Sequence, residues 1–395
     1  MNGRLDFGIF LAPFHPVHED PTAAMDRDMA LIEHLDHLAY DEVWVGEHHS
    51  GGFEIIASPE VFIAAAAERT KHIRLGTGVS SLPYHNPYIL ADRMVQLDHM
   101  TKGRTLFGVG PGALVGDAFR IGINPADQRH RMNESLDVIV RLLDGEVVTE
   151  KTDWFDLREA QLQLPCFTRP RMEMAVACSR SPAGALAAGR HGIGMLSIGG
   201  TSDEALAAHK NNWRLCEDAA AAAGQRVTRD KWRVVTLAHI ADTRAEAEQN
   251  VKHGLELWAK YFREIATFPI VPPEIDDAYS YLRDNSMAVI GDPDDAIAYF
   301  EKLIQGTGGF GGLLELAHNW ADFGATKRHF ELMARYVVPH FQNKNDLRQE
   351  SYDYSHKNRD VFVGQAQKAV EHEIQKQADK EARGGTDDAV ADVAE

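Results

Sequence analysis

The sequence predicts a single α/β domain built as a (β/α)8 TIM barrel. Eight short apolar runs alternate with amphipathic helical stretches along most of the 395 residues. The alternation closes at eight, as such a barrel requires. No Gly-x-Gly-x-x-Gly follows the first run, which disfavours a doubly wound open sheet.

Residues 6–11 (DFGIFL) read as the first strand. Residues 21–39 follow as a helix, with Met25, Met29, Ile32, Leu35 and Ala39 at three- and four-residue steps. Val43, Trp44 and Val45 make a short second strand of high β propensity. An alanine-rich helix over 58–69 leads to the third strand, 73–82. The fourth, 104–109, ends in Gly110-Pro111-Gly112 after a helix over 88–100. Residues 128–144 form a helix, and 149–164 a small hairpin outside the main sheet. The fifth, sixth and seventh strands fall at 172–177, 194–198 and 232–240, with helices over 202–223 and 244–265. The eighth strand, 312–317, lies between a helix over 294–305 and a last one over 326–341 with Pro339 in its final turn. The barrel is expected to occupy residues 1–341. Residues 342–395 shift to a polar, charged composition and are expected to be partly helical with a disordered acidic end.

Residues 266–290 lack periodicity and contain Pro269, Pro272 and Pro273. A segment that long without structure, placed between the seventh and eighth strands, is expected to be a mobile lid over the carboxyl ends of the strands.

Composition narrows the function. A content of 44% hydrophobic and 25% charged residues is that of a soluble globular chain. A net charge of −18 argues against nucleic-acid or anionic-membrane partners. The amino terminus carries no basic segment followed by a long apolar one, and Cys166, Cys178 and Cys216 lack metal-ligand spacing. A cytoplasmic protein is expected.

Glu47-His48-His49 follows the second strand directly, so two imidazoles and a carboxylate sit where α/β barrels bind ligands. Side chains alternate along a strand, so Glu47 and His49 do not share the face of His48. A metal centre needs further convergent ligands. His15 and His318 are available, but the fifth strand ends in Cys178-Ser179, so no metal site is assigned. Ser179, Arg180 and Ser181 precede a helix, which suits a phosphate; Ser181-Pro182 is equally an ordinary helix start. Phe10, Phe14, Tyr84, His85, His318 and Trp320 lie at strand ends and are candidate walls of an apolar substrate pocket, though aromatics there also serve as packing.

Several motifs occur in a fixed order: Glu47-His48-His49, Leu75-Gly76-Thr77-Gly78-Val79 with Leu82-Pro83 and Pro87, and Gly103-Arg104 with Phe107-Gly108-Val109-Gly110. Together they resemble the bacterial luciferase-like family of flavin-dependent enzymes, from the first strand to about residue 341. The runs 7–10, 12–16, 55–65 and 82–87 are similar to its limonene 1,2-monooxygenase group. The resemblance implies a barrel of this type with insertions. It implies reduced FMN and O2 as cofactors, a C4a-hydroperoxyflavin, and oxygenation of a small apolar alkene such as limonene or of a cyclic ketone. NAD(P)H would act through a separate flavin reductase, and an assembly of two or more copies is expected. His48 matches the family's catalytic histidine, with Glu47 and His49 beside it. Gly78, Val79, Ser80, Ser81 and Gly110 match positions against the flavin, and Gly78-Val79 matches a non-proline cis peptide. Where luciferase has Cys-Arg, this chain has Gly110-Pro111, leaving Arg180 to supply positive charge. A deazaflavin-dependent dehydrogenase and a non-catalytic flavin-binding protein are the competing readings.

Overall fold

The computed structural model describes residues 4–12, 14–178, 182–266 and 270–383. Eleven strands occur among them: β1 Asp6–Leu11, β2 Glu42–Val45, β3 Arg74–Ser81, β4 Thr105–Gly110, β5 Val148–Lys151, β6 Asp156–Ala160, β7 Glu173–Cys178, β8 Gly194–Ile198, β9 Trp232–Ile240, β10 Ala288–Gly291 and β11 Gly312–Leu316. Eight of them pair in parallel around a closed ring, β1-β2-β3-β4-β7-β8-β9-β11 and back to β1. They are the eight expected strands, and the fold is a TIM barrel. The β5–β6 hairpin stands apart as an antiparallel pair. The chain divides into two compact units, Met1–Gln342 and Asn343–Glu395; the second contains helices Asp346–Lys357 and Arg359–Ala382. No helix among the described residues is long and apolar enough to cross a membrane.

Two apolar layers form because each strand of a closed barrel has an inner and an outer face. Ile9, Val43, Phe107 and Leu313 pack outward against the helices, while Trp44, Leu106, Val235 and Leu314 fill the interior. Trp44 is fully buried, and glycine makes room for it: a Cβ on Gly76 would lie 2.7 Å from its ring. Below Trp44 lies a charged layer. Arg233 Nη2 is 2.6 Å from Glu42 Oε1, and Arg233 Nη1 also pairs with Glu173. Arg74 bridges the same two carboxylates, and Trp44 Nε1 donates to Glu42 Oε2 at 2.9 Å. Buried charges persist where they are paired in this way.

Three elements depart from the sequence reading. The expected helix over 244–265 is two, Arg244–Val251 and Leu255–Glu264. Gly254 separates them because it presses on the turn after β11, its N–H donating to Trp320 O at 2.9 Å. The last barrel helix is interrupted by a π turn over Met333–Val337, just before Pro339. Proline cannot donate to the ladder and crowds the carbonyl four residues back.

The third departure corrects the lid. Residues 270–290 are not a structureless loop: they hold helix Ala278–Asp284, capped by Asp277, and run into β10, which pairs with Leu237–Ile240 of β9. Val271, Ala278 and Leu282 are buried, and Arg263 Nη2 donates to Ile275 O at 2.6 Å. The segment is packed against helix Leu255–Glu264, and residues 267–269 lie outside the described structure.

Candidate active site

β2 ends at Val45, and the next residues hold position through the backbone: Gly46 N–H donates to Leu11 O at 2.9 Å and His48 N–H to Ile56 O at 3.1 Å. The alternation expected from the strand then separates two clusters. Glu47 faces β3. Its Oε2 accepts from the Ser81 N–H at 2.7 Å, and its Oε1 is shared by His49 Nε2 at 2.9 Å and His85 Nε2 at 2.8 Å. Burial alone would raise the Glu47 pKa, but hydrogen bonds from the two imidazoles and the Ser81 amide outweigh it and hold the carboxyl at about 2. The bond to Glu47 in turn raises the pKa of His49.

His48 faces the other way. Its Nδ1 is 3.0 Å from Asp117 Oδ2, and its Nε2 is 3.2 Å from Glu54 Oε2. The first contact is a hydrogen bond; the second has ion-pair distance without hydrogen-bond alignment, so Glu54 Oε2 has no hydrogen bond of its own. Burial opposes charge on His48, yet Glu54 and Asp117 prevail and raise its pKa. Asp117 Oδ1 also accepts from His49 N–H at 3.0 Å and Ser50 Oγ at 2.5 Å. Burial would raise the Asp117 pKa, but the bonds from His48 and Ser50 lower it.

Sequence reasoning does not reach Asp117, Glu54 or Tyr261. Asp117 sits on helix Val115–Arg120 after β4, and one six-residue helix shows no periodicity. Its signal is a lone acid in the connection that leaves the carboxyl end of β4. Glu54 follows Gly51-Gly52, and Tyr261 OH donates to Glu54 Oε1 at 2.6 Å from 207 residues away.

The Gly78-Val79 peptide is cis. The β3–β4 register shifts between Thr77 and Ser80 at the same place. Gly110 packs on this turn: a Cβ there would lie 2.7 Å from Val79 Cγ2. Ser80 Oγ is buried without a partner among the described residues. Ser179, Arg180 and Ser181 lie outside the described residues.

Among the described residues, the six residues proposed as pocket walls have these neighbours. Phe10 abuts Gly78, and Phe14 stacks on Phe53 with ring centres 5.0 Å apart. Tyr84 accepts from Gln128 Nε2 at 3.1 Å, and His85 is held by Glu47. His318 stacks on Trp320 at 3.7 Å and bonds Ala238 O at 2.9 Å, so both are closed against β9. Phe14 and His318 do share a cavity with Asp28 and His239, but at about 40 Å³ it has room for a few waters and not a terpene. Three of the six, Tyr84, His85 and His318, spend polar atoms on fixed partners.

The family description "Luciferase-like monooxygenase" matches residues 5–309. The chain belongs to the luciferase-like monooxygenase family. Among curated members it is 42% identical to limonene 1,2-monooxygenase of Rhodococcus erythropolis, over 96% of this chain and 97% of that one. It is 45% identical to 4-hydroxyprotoasukamycin monooxygenase of Streptomyces nodosus subsp. asukaensis, over 89% and 96%. In fold it is similar to the oxygenating constituent of 3,6-diketocamphane monooxygenase of Pseudomonas putida, solved with FMN, at TM-score 0.72 and 24% identity, over 85% of this chain and 99% of that one. A luciferase-like monooxygenase implies a flavin, and the residues at this rim fit one. The orphaned Ser80 hydroxyl offers a hydrogen bond to the polar edge of a ring, and His48 stands at the same end of the barrel.

Proposed function

We propose that this luciferase-like monooxygenase is the oxygenase of a two-component system. It takes reduced FMN made by a separate NAD(P)H-dependent reductase and, with O2, places one oxygen atom on a small apolar substrate, a monoterpene alkene such as limonene. The observation that carries this reading is His48, held between Asp117 and Glu54 at the carboxyl end of β2. Its raised pKa keeps a proton available near neutrality. The similarity to limonene 1,2-monooxygenase supports the substrate class. A relative named as the oxygenase component of a trigonelline monooxygenase supports the reductase.

Bound reduced flavin supplies the electrons that activate O2. The chain's own residues do the rest. Asp117 orients the imidazole, and His48 holds the proton that the reacting oxygen needs. Glu47 fixes His49 and His85 through one oxygen and the amide of Ser81 through the other. Ser80 and the Gly78-Val79 peptide would receive the ring, and Ser179, Arg180 and Ser181 would take the phosphate. The apolar ring cluster of Phe14, Phe53 and Tyr261 excludes water.

The test is direct: supply photochemically reduced FMN and O2, add limonene or a cyclic ketone, and identify the products. An epoxide is the expected result. A lactone would favour Baeyer–Villiger oxidation, the second reading, which rests on the similarity to diketocamphane monooxygenases. Structures similar in fold include F420-dependent enzymes, so hydride transfer between a substrate and deazaflavin without O2 consumption would displace both.

A further inference from the structure

We propose that Glu54 and Tyr261 form a latch that couples helix Leu255–Glu264 to His48, so that the position of the helix sets whether the imidazole can reach a reacting atom. Both nitrogens of His48 face carboxylates. Nδ1 is hydrogen-bonded and Nε2 is faced by a carboxylate at ion-pair distance, so a reacting atom reaches the imidazole only when one carboxylate withdraws. Asp117 is the less able to do so: besides His48 it binds the His49 amide and the Ser50 hydroxyl, and its side chain is only 1% exposed. Among the described residues Glu54 has one other hydrogen-bond partner, the Tyr261 hydroxyl. Burial and the adjacent Glu54 raise the Tyr261 pKa, so the phenol stays a donor.

The mechanical link is equally specific. Tyr261 lies on the helix with Leu255, Trp258, Ala259 and Phe262, all buried. The helix rests on the loop that carries Glu54: a Cβ on Gly51, whose φ is +84°, would come within 3.0 Å of Cγ2 of Ile265 at the helix C-terminus and 3.9 Å of Tyr261 Cε2. Phe53, the neighbour of Glu54, packs on Tyr261 with ring centres 5.0 Å apart and on Phe14 at the same distance. Lifting the helix therefore pulls the Tyr261 hydroxyl off Glu54 and uncovers the aromatic cluster together. This role rests on His48 being the proton-holding residue of the proposed reaction, but the latch itself is a property of the resting protein.

Its test uses the full chain without flavin or substrate. The titration of His48 is followed by NMR with labelled histidine, alongside melting temperatures that verify folding. The groups facing His48 are Glu54, Tyr261, Asp117, Glu47 and His49, and the last three stay unchanged in every variant. Glu54→Gln should lower the His48 pKa by ~1 unit or more through loss of a neighbouring charge. Tyr261→Phe should move it by ~0.5 unit or more, and the same substitution in the Glu54→Gln background should move it by much less. An unmoved titration in folded Tyr261→Phe, or a shift of the same size in both backgrounds, overturns the latch. A coupled titration in a protein whose His48→Asn variant still forms product upholds the latch and overturns the catalytic reading of His48.

Discussion

His48 illustrates how a barrel rim sets the state of one side chain. Two carboxylates outweigh the desolvation that would otherwise keep a buried imidazole neutral. His48→Asn keeps a polar side chain of similar reach and loses the transferable proton, so product formed per reduced FMN should fall by ~10²–10⁴-fold, the usual weight of a general acid or base. Circular dichroism and flavin titration should be unaffected; full turnover by a folded variant would remove the assignment. Arg180→Ala addresses the phosphate. It should weaken FMN by ~1.5–3 kcal/mol, the range for a hydrogen bond to a charged group, and leave riboflavin unaffected. Calorimetry with both ligands compares the two, and an equal loss would place the phosphate elsewhere.

At the scale of elements, the chain between β9 and β10 is a packed assembly. Helices Leu255–Glu264 and Ala278–Asp284 are joined through the Ala278 amide, which donates to Glu256 Oε1 at 2.8 Å. Leu282→Ala should therefore destabilise the protein by ~2–5 kcal/mol in urea titration, as a buried leucine does and a loop residue does not. The charged layer beneath Trp44 makes a second prediction. Arg233→Ala leaves Glu42 and Glu173 facing each other inside the barrel with only Arg74 between them, and should cost ~3–5 kcal/mol. If the midpoint of unfolding hardly moves, the layer is hydrated and not a structural bolt.

For the whole molecule, acid stability is the property these groups predict together. Burial pushes His239 down to about 2, His318 to about 3 and His209 to about 4. For His239 the charges of His329 and His318 add to burial. A histidine depressed in the folded state binds its proton first in the unfolded chain, so stability is lost as pH falls below about 6.5. By pH 5 each of the three contributes a loss of roughly 2 kcal/mol. Burial lowers His34 and His191 as well, while His48 and His49 are raised and act in the opposite sense, so the depressed histidines outnumber the raised ones. Thermal unfolding measured from pH 7.5 to 5 should show a steadily falling midpoint, and a flat profile would mean the buried imidazoles are reached by water.

What the sequence by itself determined was the barrel and the location of its chemistry. Eight apolar runs at helical separations leave few closed arrangements, and the Glu47-His48-His49 run must emerge at a strand's carboxyl end wherever the helices settle. Alternation along a strand is enough to separate His48 from its two neighbours. Only the tertiary structure decided what His48 touches. Asp117 comes from a six-residue helix and Tyr261 from beyond β9, and elements that short or that distant carry no local periodicity to announce them. The same limit hid helix Ala278–Asp284 and β10, whose two turns and four residues are stabilised by partners across the fold and not by their own pattern. It also explains the dispersed pocket residues: aromatic and imidazole side chains at strand ends take whichever fixed hydrogen-bond or ring partner lies nearest in space, and sequence position does not specify that neighbour.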